Sequence, residues 1–241
     1  MGTGESAGAT LAAGIEAMVD AAFRTGEYDR AEVLLRSARV RAGEEGDRAT
    51  EAAALDRLGM LMHFQALEHG VADADADAEE ALFQQALAIR RDIGDLAGIA
   101  GSLFGIGLAH QVLRRDWTAA MPYFRQAMAL AEEHGDDLTR SEIHRHVGFF
   151  YLVEDLQPLN AVRHLRISLE LRERHGDPRW IPSGMLALGQ AELVAGMHTE
   201  AVHHLRQAIT QAQQSGVRRH SIGEAEEWLR QADSGHPPPA R

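Results

Sequence analysis

The sequence repeats itself at a fixed interval, and this periodicity constrains the fold more than any other feature. A glycine that follows an aliphatic residue recurs as Gly59, Gly107, Gly148 and Gly189, and the last two intervals are each 41 residues. A second glycine closes each repeat, as Gly46, Gly94, Gly135, Gly176 and Gly216. Fifteen positions before it stands a small residue, as Ala31, Ala120, Ala161 and Ala201. Three markers in one register indicate a tandem array of one structural motif.

Each repeat is predicted to be a helical hairpin. The chain is rich in Ala, Leu, Arg, Glu and Gln, which are strong helix formers, and only 5% of it is aromatic. A glycine inside the first helix lowers its helix propensity, so we expect that glycine to let the second helix approach closely. The second helix carries apolar residues at helical spacing, such as Phe124, Ala127 and Met128. The closing Gly-Asp pair is typical of a helix end followed by an N-cap.

These markers together resemble bacterial tetratricopeptide repeats in a long form, since the basic repeat has about 34 residues. The resemblance covers roughly residues 10–216 and implies an all-α fold, a right-handed α-solenoid of about five hairpins plus a C-terminal capping helix. It divides a single domain, 10–233, into repeats at 10–47, 48–95, 96–136, 137–177 and 178–216, with the cap at 217–233. Residues 1–9 and the Pro-rich tail 234–241 are predicted to be disordered.

The first helix of each hairpin in such a solenoid lines a concave groove. Helical spacing from the marker glycine predicts thirteen groove-binding residues, namely Asp56, Met60, His63, Phe64, Phe104, Leu108, Gln111, Glu142, Arg145, Phe149, Leu152, Leu186 and Gln190. Their apolar members form a connected strip, which is typical of a surface that binds a partner, a ligand or a second copy of the chain. If the register is displaced by one residue, the same side chains form the core of each hairpin instead.

Composition narrows the classes of partner. The formal net charge of −12 disfavours nucleic acid and membrane as main partners, because both carry negative charge. The absence of cysteine excludes disulfides and thiolate metal sites. The N-terminus lacks the pattern of a signal peptide, and we expect no apolar run as long as a membrane span of about 20 residues. A cytoplasmic location is therefore the expectation.

No catalytic residue, metal site or cofactor is predicted. His144 and His146 lie on different faces of a helix and are badly placed to bind one metal ion. We expect His144 to be packed and to share a proton with a neighbour such as His110. Glu142 and Arg145, three positions apart, are expected to form a salt bridge.

Three further features have plain structural interpretations. His198, His203 and His204 are expected to be solvated. The acidic stretch Asp73–Glu80 begins like a calcium loop but has Ala78 where the loop needs glycine, so it is predicted to cap the next helix. Trp180 is the one tryptophan considered as a ligand contact.

Three functions remain open. The first is a protein–protein interaction module that binds an apolar or amphipathic peptide in the groove. The alternative is a protein that binds a hydrophobic small molecule in the same groove, or an enzyme performing acid–base chemistry there, with a homodimer closing the open side. The third is a regulator that depends on a partner. The absence of a catalytic motif favours a binding protein over an enzyme. The repeats themselves do not decide the function, because repeats of this kind serve many unrelated roles.

Overall fold

The computed structural model describes residues 5–71 and 75–234, and the elements within these ranges are helices. They are α1 (Ala7–Asp20), α2 (Asp29–Glu45), α3 (Arg48–His69), α4 (Ala76–Ile93), α5 (Leu96–Leu108), α6 (Trp117–His134), α7 (Asp137–Val153), α8 (Pro158–His175), α9 (Ile181–Val194), α10 (His198–Ser215) and α11 (Arg219–Ser234). Two π-helical turns, Ala21–Thr25 and Ala109–Leu113, extend α1 and α5. Consecutive helices pack as hairpins, which confirms the predicted all-α, solenoid-like fold.

The chain divides into two compact units. The N-terminal unit, Met1–Gly135, contains the hairpins α1–α2, α3–α4 and α5–α6, and within it α2 packs on α3 and α4 packs on α5. The C-terminal unit, Asp136–Arg241, contains the hairpins α7–α8 and α9–α10, followed by α11. Within it α8 packs on α9 and α10 packs on α11.

The first helix begins earlier than the sequence suggested. Helix α1 begins at Ala7, where the Ser6 hydroxyl accepts a hydrogen bond from the backbone N–H of Ala9 at 3.3 Å, so residues 7–9 are helical. A side-chain oxygen at this position satisfies one of the free N–H groups of the first turn. The predicted disorder at residues 1–4 and 235–241, and part of the acidic stretch at 72–74, lie outside the described residues.

The predicted use of the Gly-Asp pairs as helix boundaries is confirmed at three repeats. The carboxylates there accept from the backbone N–H three residues later at 2.7–3.0 Å, in Asp47, Asp95 and Asp136. The fourth pair differs. Gly176 has the left-handed φ of 83° expected of a helix end, but Asp177 binds the guanidinium of Arg179, and α9 begins only at Ile181.

The marker glycines do allow a close approach of the two helices of a hairpin. A methyl group placed on Gly107 would lie 2.4 Å from the Phe124 ring, and one on Gly148 would lie 2.7 Å from Leu165. Gly59 and Gly189 have the same relation to Phe83 and Leu205. The contacting side chain is the one four positions after the predicted small residue, one turn further along the second helix.

Candidate functional site

The seven predicted groove residues of the N-terminal unit lie on α3, on α5 and on the π-helical turn after it, and most of their surface is not free. Phe104 and Leu108, expected in an exposed strip, are 6% and 1% exposed. Asp56 and His63 are also buried, whereas Met60, Phe64 and Gln111 are half-buried. The buried members therefore cannot contact a partner without opening of the hairpins.

Asp56 belongs to a buried polar cluster that joins three helices. Its carboxylate lies 2.9 Å from Nη2 of Arg90 in α4 and accepts a hydrogen bond from the Ser102 hydroxyl of α5 at 3.0 Å. Burial raises the pKa of Asp56 to about 6, although Arg90 and Ser102 pull it down. Because Arg90 of α4 and Ser102 of α5 both bind the Asp56 carboxylate, the cluster ties the α3–α4 hairpin to α5.

His63 pairs with a residue of the acidic stretch that the sequence predicted only to cap the next helix. Its Nδ1 lies 3.1 Å from Oε1 of Glu79, and both side chains are almost fully buried. Asp75, near the start of the acidic stretch, caps α4 by accepting from the N–H of Ala78 at 2.9 Å, as predicted for this stretch. The acidic stretch therefore supplies the cap of α4 through Asp75 and a buried carboxylate through Glu79.

The six predicted groove residues of the C-terminal unit are brought together by α7 and α9. Leu186 and Gln190 are buried, while Glu142, Arg145, Phe149 and Leu152 are half-buried. We define the α7–α9 face as Arg145, Phe149 and Leu152 of α7 with Ser183, Leu186 and Gln190 of α9. The guanidinium of Arg145 bridges the two helices, because its Nη1 donates to the carbonyl of Ser183 at 3.4 Å and its centre lies 4.6 Å from the centroid of the Phe149 ring.

The expected salt bridge between Glu142 and Arg145 is not formed. Glu142 instead accepts from Nη2 of Arg172, a fully buried arginine of α8. Arg172 also donates through Nε to the Ser141 hydroxyl at 3.0 Å and through Nη1 to the Trp180 carbonyl at 2.8 Å. Glu142 is drawn away because Arg172 is the more deeply buried cation and therefore has the greater need of a counter-charge.

Arg145 is consequently left without a carboxylate within 4.0 Å among the described residues. Burial lowers the pKa of Arg145 to about 10, and the positive charge of Arg172 adds to this effect. The guanidinium stays charged at neutral pH, yet it uses one long hydrogen bond out of five donors. The α7–α9 face therefore presents an under-compensated cation beside an aromatic ring.

The expectation that His144 is packed is confirmed. His144 is 6% exposed, and its Nδ1 lies 3.0 Å from Nδ1 of His164 in α8. Burial and the neighbouring His144 lower the pKa of His164 to about 4, and the ring of Tyr151 stacks on His164 at 5.4 Å. At this distance one of the two nitrogens donates a hydrogen bond and the other accepts it.

Two other expectations are corrected in the C-terminal unit. His204 is not simply solvated, because its Nδ1 lies 2.7 Å from Oε2 of Glu192, a carboxylate with no exposed surface. Trp180 is 8% exposed and packs under the guanidinium of Arg172 at 5.6 Å, so it offers little surface to a ligand. Its position at the start of α9 explains this, since the α8–α9 turn folds the indole inward.

Sequence reasoning missed Arg172 and Glu192, although the apolar pattern of their helices contained a signal for each. Arg172 follows Leu165 and Leu169 on the buried stripe of α8, where an apolar residue is expected. Glu192 stands among the apolar residues of α9 and is fully enclosed. A charged residue at a core position of an amphipathic helix predicts a buried partner, but not which one.

Within residues 5–71 and 75–234, no group of three or more His, Asp or Glu side chains is placed to hold a metal ion. Contrary to the expectation for apolar runs, the 18 residues Leu96–Leu113 reach the length and mean hydropathy of a membrane span. Half of this stretch is buried in the structure, as is usual for a core helix, so it is weak evidence for a membrane.

Comparisons with known proteins support the fold alone. No protein-family model matches the chain, and no curated protein matches it in sequence. Among solved structures, the chain is similar to BtubC (BKLC) from P. vanneervenii, with 17% sequence identity and a TM-score of 0.50 over 98% of this chain and 96% of that chain. An identity this low indicates a shared arrangement of helices and says nothing about activity.

Proposed function

We propose that this protein is an interaction module that binds an amphipathic polypeptide segment on the α7–α9 face. The observation that carries the proposal is Arg145, a half-buried cation without a carboxylate partner among the described residues, which stacks on Phe149. A partner segment with an acidic side chain next to an apolar one would supply both missing contacts. Hydrogen bonds between an arginine and a carboxylate are strong because both groups are charged and the guanidinium fork matches the two oxygens.

The surroundings of Arg145 favour a polypeptide over a small hydrophobic molecule. Phe149 and Leu152 lie one turn apart and are half-buried, so they present an apolar surface rather than an enclosed cavity. Gln190 donates to Glu224 of α11 at 3.1 Å, which adds a polar border. An apolar centre with a polar border is typical of protein interfaces, in which aromatic residues and arginine contribute most of the binding energy.

An acid–base enzyme has less support. Its candidate groups in the N-terminal unit, Asp56 and His63, are each buried in contacts with other side chains. A general acid or base has to reach the proton that it transfers, either directly or through one water molecule. A regulatory role would act through the same bound partner, so it follows from the interaction module rather than competing with it.

The test uses a phage-displayed library of random dodecapeptides selected against the full chain. Labelled peptides recovered from it are then titrated by fluorescence anisotropy against the wild type, Phe149→Glu and Arg145→Gln. We expect selected peptides to contain an acidic residue beside an apolar one, and Phe149→Glu to weaken their binding by about thirtyfold, as for a central interface residue. Arg145→Gln should weaken the binding of acidic peptides more than that of their Asn or Gln analogues.

The matched control is Val40→Glu, which places the same charge on an exposed valine of α2 that is 61% exposed. It should leave peptide affinity unchanged. Far-ultraviolet circular dichroism should show the same helicity for all variants. Peptides that bind Phe149→Glu as tightly as the wild type would place the binding surface elsewhere, and a library that yields no binder would remove the proposal.

A further inference from the structure

The α3–α4 hairpin departs from the repeat pattern at one buried position. Fifteen residues before the closing glycine the other hairpins have a fully buried alanine, as Ala31, Ala120, Ala161 and Ala201. In the α3–α4 hairpin this position is Glu79, fifteen residues before Gly94, and it is 1% exposed. A carboxylate therefore occupies a place where the repeat packs a methyl group. Burying a carboxylate is costly, so the substitution needs a compensating role.

The residue that contacts Glu79 also departs from the neighbouring repeats. His63 follows the marker glycine by four positions, where the next three repeats have Gln111, Leu152 and Leu193. The two departures meet, since His63 Nδ1 lies 3.1 Å from Glu79 Oε1. The second carboxylate oxygen, Oε2, is buried and has no hydrogen-bond partner among the described residues. His63 alone thus leaves the carboxylate half satisfied.

A cavity of about 200 Å³ adjoins this pair, and Glu79 is part of its wall. Its other walls include Gln65 and His69 of α3, Asp75 before α4, and Leu113 from the π-helical turn after α5. No arginine is among its described lining residues. Such π-helical turns often occur at functional sites, because they change the direction of side chains within a helix. The cavity is thus bordered by two carboxylates, by the polar side chains of Gln65 and His69, and by apolar carbon.

The guanidinium of Arg114 is held by carboxylates other than that of Glu79. Arg114, the residue after Leu113, donates to Asp77 at 2.6 Å and to Glu80 at 2.7 Å, on the two sides of Glu79 in sequence. Those two carboxylates hold the guanidinium, so Glu79 Oε2 keeps its unfilled acceptor sites. A buried acceptor without a donor lowers stability, and a bound donor would recover that loss.

We propose that this cavity binds a small organic cation of the amidinium or alkylammonium class, whose N–H group donates to Glu79 Oε2. The volume fits a ligand slightly larger than benzene, which occupies an engineered protein cavity of about 150 Å³. Asp75 and Glu79 favour a cation over a neutral donor, and Met62 and Leu113 contact its apolar part. This site lies wholly in the N-terminal unit and does not depend on the α7–α9 face.

The test titrates the full chain with benzamidinium and n-butylammonium by isothermal calorimetry, with saturation-transfer NMR as a second readout. Benzamide, the neutral analogue of benzamidinium, is the ligand control. We expect both cations to bind in the micromolar to millimolar range and benzamide to bind at least about tenfold more weakly, as for the loss of one charged hydrogen bond. Glu79→Gln should cause a similar loss.

The decisive variant is the double substitution Glu79→Ala with His63→Leu, which restores residues that the other repeats use. It should fold, be at least as stable as the wild type, and lose cation binding. Glu44→Gln removes the same charge from an exposed position of α2 and should leave the affinity unchanged.

Three results would overturn the proposal. They are equal affinity for benzamide and benzamidinium, cation binding that survives in the double variant, and no binding of either cation at millimolar concentration. If the double variant unfolds, the His63–Glu79 pair is needed for folding. The affinity of Glu79→Gln for the two cations then decides whether Glu79 also binds them.

Discussion

Replacing Gly107 by alanine tests why the repeat keeps a glycine inside its first helix. On propensity alone the change should stabilise α5, because alanine is better than glycine in a helix by about 1 kcal/mol. The structure opposes this gain. The added methyl group would lie 2.4 Å from Cε1 and 2.6 Å from Cδ1 of Phe124, far inside van der Waals contact.

The steric term is larger than the propensity term. Phe124 has no exposed surface and its ring lies 5.8 Å from that of Phe104, so it has little room to move. Added volume in a packed core costs about 1–3 kcal/mol, and an overlap of this depth belongs at the upper end of that range. After subtraction of the helix-propensity gain, we expect Gly107→Ala to lower the free energy of unfolding by about 2 kcal/mol.

Urea unfolding followed by circular dichroism measures this change, with Gly43→Ala as the control. Gly43 lies in α2, and a methyl group there would meet no atom within 4 Å. That variant should therefore show the propensity gain alone, about 0.5–1 kcal/mol of added stability. The two variants make the same chemical change and should shift the urea midpoint in opposite directions.

A rescue experiment separates overlap from other causes. In a Phe124→Leu background the smaller side chain leaves room for the methyl group, so Gly107→Ala should cost at least about 1 kcal/mol less than in the wild type. If Gly107→Ala proves as stable as Gly43→Ala, the close approach of the two helices is not what keeps this position a glycine, and the packing argument for the repeat fails.

Two further predictions concern the C-terminal unit. Leu156 has a left-handed φ of 52° and is 73% exposed, so Leu156→Gly should raise the free energy of unfolding by about 1 kcal/mol. Leu159→Gly, in helix α8, should lower the free energy of unfolding by a similar amount. Urea unfolding measures both changes, and changes of the same sign would contradict the backbone argument. His164, with its pKa lowered to about 4, takes up its proton more readily in the unfolded chain, so its stabilising contribution is present above pH 6.5 and is lost as the pH falls toward 4. Because its ring is half-buried, we expect this effect to lower the free energy of unfolding by about 1–2 kcal/mol over this window. His164→Gln should reduce the pH-dependent fall in the free energy of unfolding, measured by urea unfolding, by that amount. Asp56, whose raised pKa of about 6 acts with the opposite sign, is common to both chains and cancels in the comparison.

The α7–α9 face shows how far helical spacing alone can carry a site prediction. Counting from Gly148 predicted Arg145, Phe149 and Leu152 on one open face of α7, and the structure leaves all three half-buried. The same counting from Gly107 placed Phe104 and Leu108 on an open surface, and the structure buries them. A helical period locates a face to within about one residue, and one residue is a rotation of about 100°. The helical period therefore does not predict how exposed a residue at the edge of a face is.

The sequence by itself determined the helical hairpins, most of their boundaries and the close packing within each one. Those features depend on local rules, such as propensity, capping by Asp47 or Asp95, and the size of residues one turn apart. Only the tertiary structure decided which charges meet. Glu142 binds Arg172 and not its helical neighbour Arg145, because the choice of partner depends on how the two helices of the hairpin pack and how deeply each charge is buried.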